Sequence, residues 1–163
     1  MTLKRRRIEN KTDYAKRLKL LKSEKPRIVF RKTNKYVIGQ YVTSHETQDK
    51  IEIGVNSGQL LKYGWPEEFK GSLKSIPASY LTGLLIGKKI IKDKKEMPIV
   101  DFGMIRNMHK TKTFAFLKGI VDAGIEVSHD ESIFPEEDRI MGKNLKEDFS
   151  KTFEKIKSKI EKE

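Results

Sequence analysis

Basic side chains near the start of the chain are the residues whose chemistry is easiest to name. Residues 1–35 carry 14 lysines and arginines against three acids, a net charge of 14 − 3 = +11. The whole chain of 163 residues has a net charge of +12, so 12 − 11 = +1 is left for all the rest. Charge concentrated in this way binds polyanions, and nucleic acid and an anionic membrane surface are the two candidates. A tail that only improves solubility is the third interpretation.

Three carboxylates suggest a second kind of chemistry. Asp101 ends a predicted strand, Glu52 lies on an earlier strand and Asp122 on a helix. Nucleases of the ribonuclease H type hold two metal ions with carboxylates that converge on a strand end. The first predicted strand, RIVFR, instead carries two arginines and no acid. A ribonuclease H-like RNA-processing enzyme is therefore the alternative, and we expect no catalytic residue.

Other reactive arrangements are missing from the sequence. There is no cysteine, and the three histidines have no metal-ligand spacing. The segment GLLIGKK at 83–89 has three residues between its glycines, where a phosphate-binding loop needs four, and lacks the Ser or Thr after lysine. No segment reaches the roughly 18 apolar residues of a membrane span. We therefore expect no cofactor, no metal, no membrane partner and no small-molecule substrate.

The basic residues lie on elements whose order can be predicted. Residues before Thr12 are expected to be flexible, and a helix follows over 13–24, before Pro26. The β-branched runs at 27–31 and 36–42 predict a hairpin, with Asn34 in a left-handed conformation in its turn. A third strand at 50–55 would extend the hairpin to an antiparallel meander.

Helices alternate with strands in the rest of the chain. Apolar periodicity predicts a short helix at 59–63, a buried central helix with Pro77 in its first turn, and a helix over 113–123 capped by Gly124. Gly83 and Gly87 are one turn apart and would admit another backbone closely. The segments 97–103 and 125–127 are a fourth and a fifth candidate strand. An apolar stripe from Leu145 to Ile160 predicts a last helix.

This order predicts an α/β fold with a small mixed β-sheet flanked by helices, a basic N-terminal arm and a C-terminal helix. We divide it into an arm at 1–26, a core domain at 27–130 and a C-terminal extension at 131–163. Residues 126–163, which are the extension and the five residues before it, hold eight bases against eleven acids, so this part of the chain is not a polyanion binder by itself. Its helix could dock on the core, dock on another protein or stand partly exposed.

Two further features favour RNA. A second basic group on the hairpin comprises Arg27, Arg31, Lys32 and Lys35, with Asn34 in its turn. Taken alone, this group could equally be a hairpin edge kept soluble by charge, but its place next to the arm favours binding. The segment KYGWPEEFKGS mixes aromatic residues with lysines, as base-stacking surfaces do, although a single tryptophan in a small domain more often belongs to the core. The basic helix has no helix-turn-helix partner, so DNA readout is disfavoured.

The sequence resembles a known family over nearly its whole length, from Lys4 to Leu145. The segments that carry the likeness are KRRRIENKTDYAKRLKLL, PRIVFRKTNKYVIGQ, LLKYGWPEEFKGSLKSIPASYLTGLLIGKK and FAFLKGIVDAGIEVSHDESIFPEEDRIMGKNL. In this combination they resemble the universal large-subunit ribosomal protein family number eighteen, in its archaeal form. Residues 92–98 and the helix from Lys146 onward are less typical of it.

The resemblance implies a structural protein with a ribonuclease H-like core that lacks the catalytic acids. It implies 5S ribosomal RNA, 23S ribosomal RNA and neighbouring large-subunit ribosomal proteins as partners, a place in the central protuberance, and cytoplasmic ribosomes as the location. RNA contacts are carried over to the arm and hairpin residues that match the family: Lys4, Arg5, Arg6, Arg7, Lys11, Tyr14, Arg17, Arg27, Arg31, Lys32, Asn34 and Lys35.

Overall fold

The computed structural model describes residues 4–46, 48–106, 108–145 and 149–162. Its α-helices are α1 (Arg5–Ile8), α2 (Tyr14–Lys22), α3 (Ile76–Lys92), α4 (Lys112–Asp122), α5 (Glu137–Met141) and α6 (Ser150–Glu161). Its strands are β1 (Arg27–Lys32), β2 (Val37–His45), β3 (Gln48–Asn56) and β4 (Ile99–Asp101). Short 3₁₀ helices occupy Ser57–Tyr63, Glu67–Ser72 and Glu131–Ile133.

The strands form one mixed sheet in the order β3-β2-β1-β4 within the described ranges. β1, β2 and β3 are an antiparallel meander, and β4 lies parallel to β1, with Ile28 opposite Val100. A parallel neighbour requires a crossover connection, and α3 supplies it between β3 and β4. The predicted α/β class with a small mixed sheet is confirmed.

Three local expectations were wrong. Residues 5–8 form a short helix where a flexible segment was expected. Asn34 does not have a positive φ, because the turn is closed instead by Thr33, whose hydroxyl accepts from the Tyr36 amide at 2.9 Å. The strand expected at 125–127 is absent, because the Ile125 amide donates to the Ile120 carbonyl and so ends α4.

Helices α3 and α4 cover one face of the sheet. Ser75 caps α3 by accepting from the Ala78 amide. The prediction that the glycines of this helix admit another backbone closely is confirmed at Gly83. A Cβ there would collide with the backbone carbonyl of Phe116 on α4, so the two helix backbones touch. Close contact of this kind makes the helix pair a rigid layer behind the sheet.

The C-terminal helix docks on the same layer, which answers the question its sequence left open. Phe153 of α6 lies 5.5 Å from the ring of Tyr80 on α3, and Phe149 lies 4.7 Å from Trp65. Trp65 is 2% exposed, so it belongs to the core, as its uniqueness in the sequence predicted.

The opposite face of the sheet meets the N-terminal arm. Along β1, Ile28 and Phe30 point into the core, while Arg27, Val29 and Arg31 line a groove of about 590 Å³ shared with α1 and α2. In the described part of the chain, no helix is both long enough and apolar enough to cross a bilayer.

Candidate RNA interface

Several basic side chains of the arm are paired with acceptors within the arm itself. Glu9 accepts from Arg5 at 2.7 Å and from Lys11 at 2.6 Å, and these hydrogen bonds lower the pKa of Glu9, that from Lys11 most. Arg6 donates to the Thr12 hydroxyl at 3.0 Å. All these basic side chains are exposed, so the pairs are weak and can exchange for phosphate.

The start of α2 is built around Asp13, which accepts from the amides of Ala15 and Lys16 and so caps the helix. The Lys16 amide is the main reason why the pKa of Asp13 is lowered. The carboxylate also pairs with Arg7 at 3.3 Å. The Lys4 ammonium lies 4.7 Å from the centroid of the Tyr14 ring, a cation–π contact.

Two further ion pairs fasten α2 to the sheet. Arg17 pairs with Asp49 at 2.9 Å, and Lys16 lies 3.6 Å from Asp101. Lys16 was not among the predicted contact residues, and its pairing with an acid 85 positions away could not be read from the sequence. No residue of α2 is buried, and Leu18 on its apolar side is 56% exposed. Ion pairs therefore hold the arm in place more than burial does.

Arg27 differs from the other predicted contact residues because it is 2% exposed. Its guanidinium donates to Asp49 at 2.8 Å and to Ser44 at 3.0 Å, and lies 3.5 Å from Asp101. Burial would raise the pKa of Asp49, but the hydrogen bond from Ser44 and the charges of Arg17 and Arg27 outweigh it, so the pKa is lowered. Arg27 thus orders the acids that receive the arm, and its burial argues against direct phosphate contact.

The hairpin presents its basic residues differently. Arg31, Lys32, Asn34 and Lys35 are all exposed at one end of the sheet. Among the residues that the structure describes, no acid pairs with Arg31, Lys32 or Lys35. The hairpin and the arm lie on one continuous side, since Arg31 and Lys32 line the same groove as Arg6 and Lys11. Besides the buried Arg27, five predicted residues are therefore brought together as one basic surface along the groove: Arg6, Lys11, Arg17, Arg31 and Lys32. The other predicted residues, Lys4, Arg5, Arg7, Tyr14, Asn34 and Lys35, do not line the groove.

Comparison with known proteins decides the family. The model of the family described as "Ribosomal large subunit proteins 60S L5, and 50S L18" matches residues 1–98. The chain belongs to this family. Relatives named large ribosomal subunit protein uL18 are 40% identical in Methanospirillum hungatei and 45% identical in Korarchaeum cryptofilum. These two matches cover 88% and 86% of this chain and 79% and 70% of the relatives.

A third uL18 relative, from Methanoregula boonei, is 40% identical over 98% of this chain and 92% of its own length. Membership of the family gives the chain a structural role in the large ribosomal subunit of the cytoplasm. The resemblance seen in the sequence is thereby confirmed.

The family consists of ribosomal proteins, so the enzyme alternative is wrong. Each of the three carboxylates considered for catalysis has a cationic or hydroxyl partner. Glu52 pairs with Lys95 at 2.8 Å, and Asp122 accepts from Tyr80 at 2.7 Å. Asp101 faces Arg27, as described above. In the ranges that the structure describes, no three His, Asp or Glu side chains are grouped to hold a metal ion.

Proposed function

We propose that the chain binds 5S ribosomal RNA and helps to attach it to 23S ribosomal RNA in the central protuberance, beside neighbouring ribosomal proteins. The observation that carries the proposal is the group of exposed hairpin cations, Arg31, Lys32 and Lys35, which lack an acid partner in the described part of the chain and adjoin the basic arm. A structural protein of a ribonucleoprotein needs cations that are free to neutralise phosphate.

The two halves of this surface contribute differently. The hairpin cations have no ion pair with any described residue to give up, so phosphate contact costs them little. The arm cations Lys4, Arg5, Arg6, Arg7, Lys11 and Arg17, together with Tyr14, must first exchange the partners described above. Exposed ion pairs are worth about 0–1 kcal/mol, so the exchange is favourable once several phosphates are in reach. Residues 1–26 accordingly act as an arm that follows the RNA backbone.

The preference for 5S ribosomal RNA is tested by equilibrium binding. The probe is a transcript of archaeal 5S ribosomal RNA, with an unrelated structured RNA of the same length as competitor, at potassium chloride concentrations from about 50 to 200 mM. We expect tighter binding to the 5S transcript throughout. Equal affinity for both RNAs over the whole range would refute the assignment of 5S ribosomal RNA as partner.

The salt dependence tests which residues make the contacts. About six phosphate contacts give a log–log slope of roughly −4 to −5. Deletion of residues 1–11 and the triple substitution R31Q/K32Q/K35Q should each make that slope shallower by about 2 or more. An unchanged slope in both variants would show that neither the arm nor the hairpin is the phosphate-binding surface.

A further inference from the structure

A group of three lysines at one end of the molecule is not explained by the arm or by the hairpin. Lys32 ends β1, Lys74 directly precedes the Ser75 cap of α3, and Lys112 is the first residue of α4. They come from three separate parts of the chain. No acid pairs with any of the three among the residues that the structure describes.

The topology explains why these segments meet. β1 and β3 run in the same direction, because each is antiparallel to β2, and β4 is parallel to β1. Helix α3 follows β3 and leads back to β4, and α4 follows β4, so both helices begin at the carboxyl end of these strands. Phe116 in the second turn of α4 lies 4.9 Å from Phe30 near the end of β1. The carboxyl end of parallel strands is where α/β sheets commonly bind ligands.

Lys74 and Lys112 stand where the protein alone gives their charges little stabilisation. Lys112 begins an 11-residue helix, and Lys74 precedes a 17-residue one, at the ends whose dipoles favour anions and disfavour cations. Partial burial lowers the pKa of Lys112, and the positive charges of Lys32 and Lys74 lower it further. The Thr111 hydroxyl donates to the Met108 carbonyl and makes no cap for α4.

Cations at two helix N-termini and a partly buried lysine beside other lysines are each unfavourable for the protein alone. Several such unfavourable features at one place indicate a functional site. An anion placed among the three lysines would relieve every one of these unfavourable terms. It would neutralise the mutual repulsion, compensate the lost hydration of Lys112 and face two helix N-termini. Phosphate oxygens fit best, because they accept hydrogen bonds from several ammonium groups at once.

We propose that Lys32, Lys74 and Lys112 form a phosphate-binding site at the carboxyl end of the sheet, which takes backbone phosphates of the RNA that the arm and hairpin hold. The inference rests on the proposed function and extends it, since Lys74 and Lys112 lie outside the arm and the hairpin. Lys32 belongs to both groups and joins them into a continuous path for the RNA backbone.

The experiment compares two doubly substituted full-length proteins. K74Q/K112Q removes the two new contacts, and K151Q/K155Q removes the same charge from the exposed side of α6 as a matched control. Binding to the 5S transcript is measured across the same salt range. We expect K74Q/K112Q to weaken binding at about 0.2 M salt by about 10- to 20-fold and to make the slope shallower by about 1.4 to 1.8. The control should bind like the wild type, and K74R/K112R should restore most of the affinity.

Thermal unfolding separates a binding role from a structural one. Loss of two mutually repelling charges should leave the melting temperature of K74Q/K112Q unchanged or raise it slightly. If K74Q/K112Q binds the 5S transcript like K151Q/K155Q, the site proposed here is refuted while the preference for 5S ribosomal RNA stands. If the wild type shows no such preference, the proposed function fails. The slope of K74Q/K112Q on polyuridylate, measured against the same control, then tests the phosphate site by itself.

Discussion

Asp49 joins the arm to the sheet, and its substitution by asparagine tests that connection. Its carboxylate accepts from Ser44 at 2.7 Å, from Arg27 at 2.8 Å and from Arg17 at 2.9 Å. Asp49→Asn removes the negative charge and leaves the buried Arg27 guanidinium with Asp101 at 3.5 Å and with Ser44. The folded state therefore keeps a buried cation with a weaker partner.

The expected cost follows from these contacts. Loss of a charge-assisted hydrogen bond to a buried group costs about 1.5–3 kcal/mol. Complete loss of the partner of a buried charge would cost about 3–5 kcal/mol, but Asp101 remains. We therefore expect Asp49→Asn to lower the free energy of unfolding by about 2–3 kcal/mol, which for a chain of this size lowers the melting temperature by about 4–12 °C.

The assay is urea unfolding followed by fluorescence of Trp65, which is 2% exposed and the only tryptophan of the chain. The midpoint should fall with an unchanged slope against urea concentration. Asp93→Asn is the matched control, because Asp93 is exposed and should change stability by less than about 0.5 kcal/mol. Equal midpoints for Asp49→Asn and Asp93→Asn would refute the reasoning that Asp49 stabilises the buried guanidinium.

The pH dependence gives a second readout of the same group. The pKa of Asp49 is lowered from its ordinary value of 3.8. Its contribution is therefore fully present above pH 3.8 and is lost as the pH falls through the lower pKa of the folded state. The difference in stability between wild type and Asp49→Asn should stay constant from neutral pH to about pH 5 and narrow below 3.8. A difference that narrows already near neutral pH would point to another group.

Three core substitutions test the layers behind the basic surface, each by urea unfolding. Gly83→Ala should lower the free energy of unfolding by about 1–3 kcal/mol, because the new Cβ collides with the Phe116 carbonyl. Gly71→Ala, with open space at its Cβ, should leave the stability unchanged. Equal effects of the two substitutions would contradict the backbone contact. Leu84→Ala should cost about 2–5 kcal/mol because Leu84 is fully buried, and no loss would show that α3 is not the central helix. Phe153→Ala should cost about 3–5 kcal/mol if α6 docks in solution as described, and a loss near zero would contradict that docking.

Much of the fold could be predicted because its signals are local. The β-branched runs gave the hairpin, and Pro77 with the apolar stripe after it gave the central helix. The fifth strand was predicted from a β-rich run at 125–127, but those residues lie directly after the Gly124 cap, and Ile125 is needed in the core. A three-residue pattern cannot show whether these residues form a strand or end the preceding helix.

The site was predictable in its charge but not in its internal pairing. Arg31 and Lys32 are exposed in the basic surface, as their place in the hairpin suggested. Arg27 has the same residue type and a neighbouring position, yet it is buried, because it meets acids 22 and 74 positions away. Lys112 had no signal in the sequence, since the lysines near it become neighbours only through the sheet crossover.

The glycine contact between α3 and α4 fixes more than the packing of a core. Where peptide groups touch, the distance between two helix axes is set by covalent dimensions rather than by side-chain rotamers. The starts of the two helices, and with them Lys74 and Lys112, are therefore held at a constant separation when larger core residues are exchanged. At Gly83 and at its counterpart Gly119, an added Cβ would collide with the backbone of the other helix, so these two glycines set the spacing of the helix starts on which the proposed phosphate site depends.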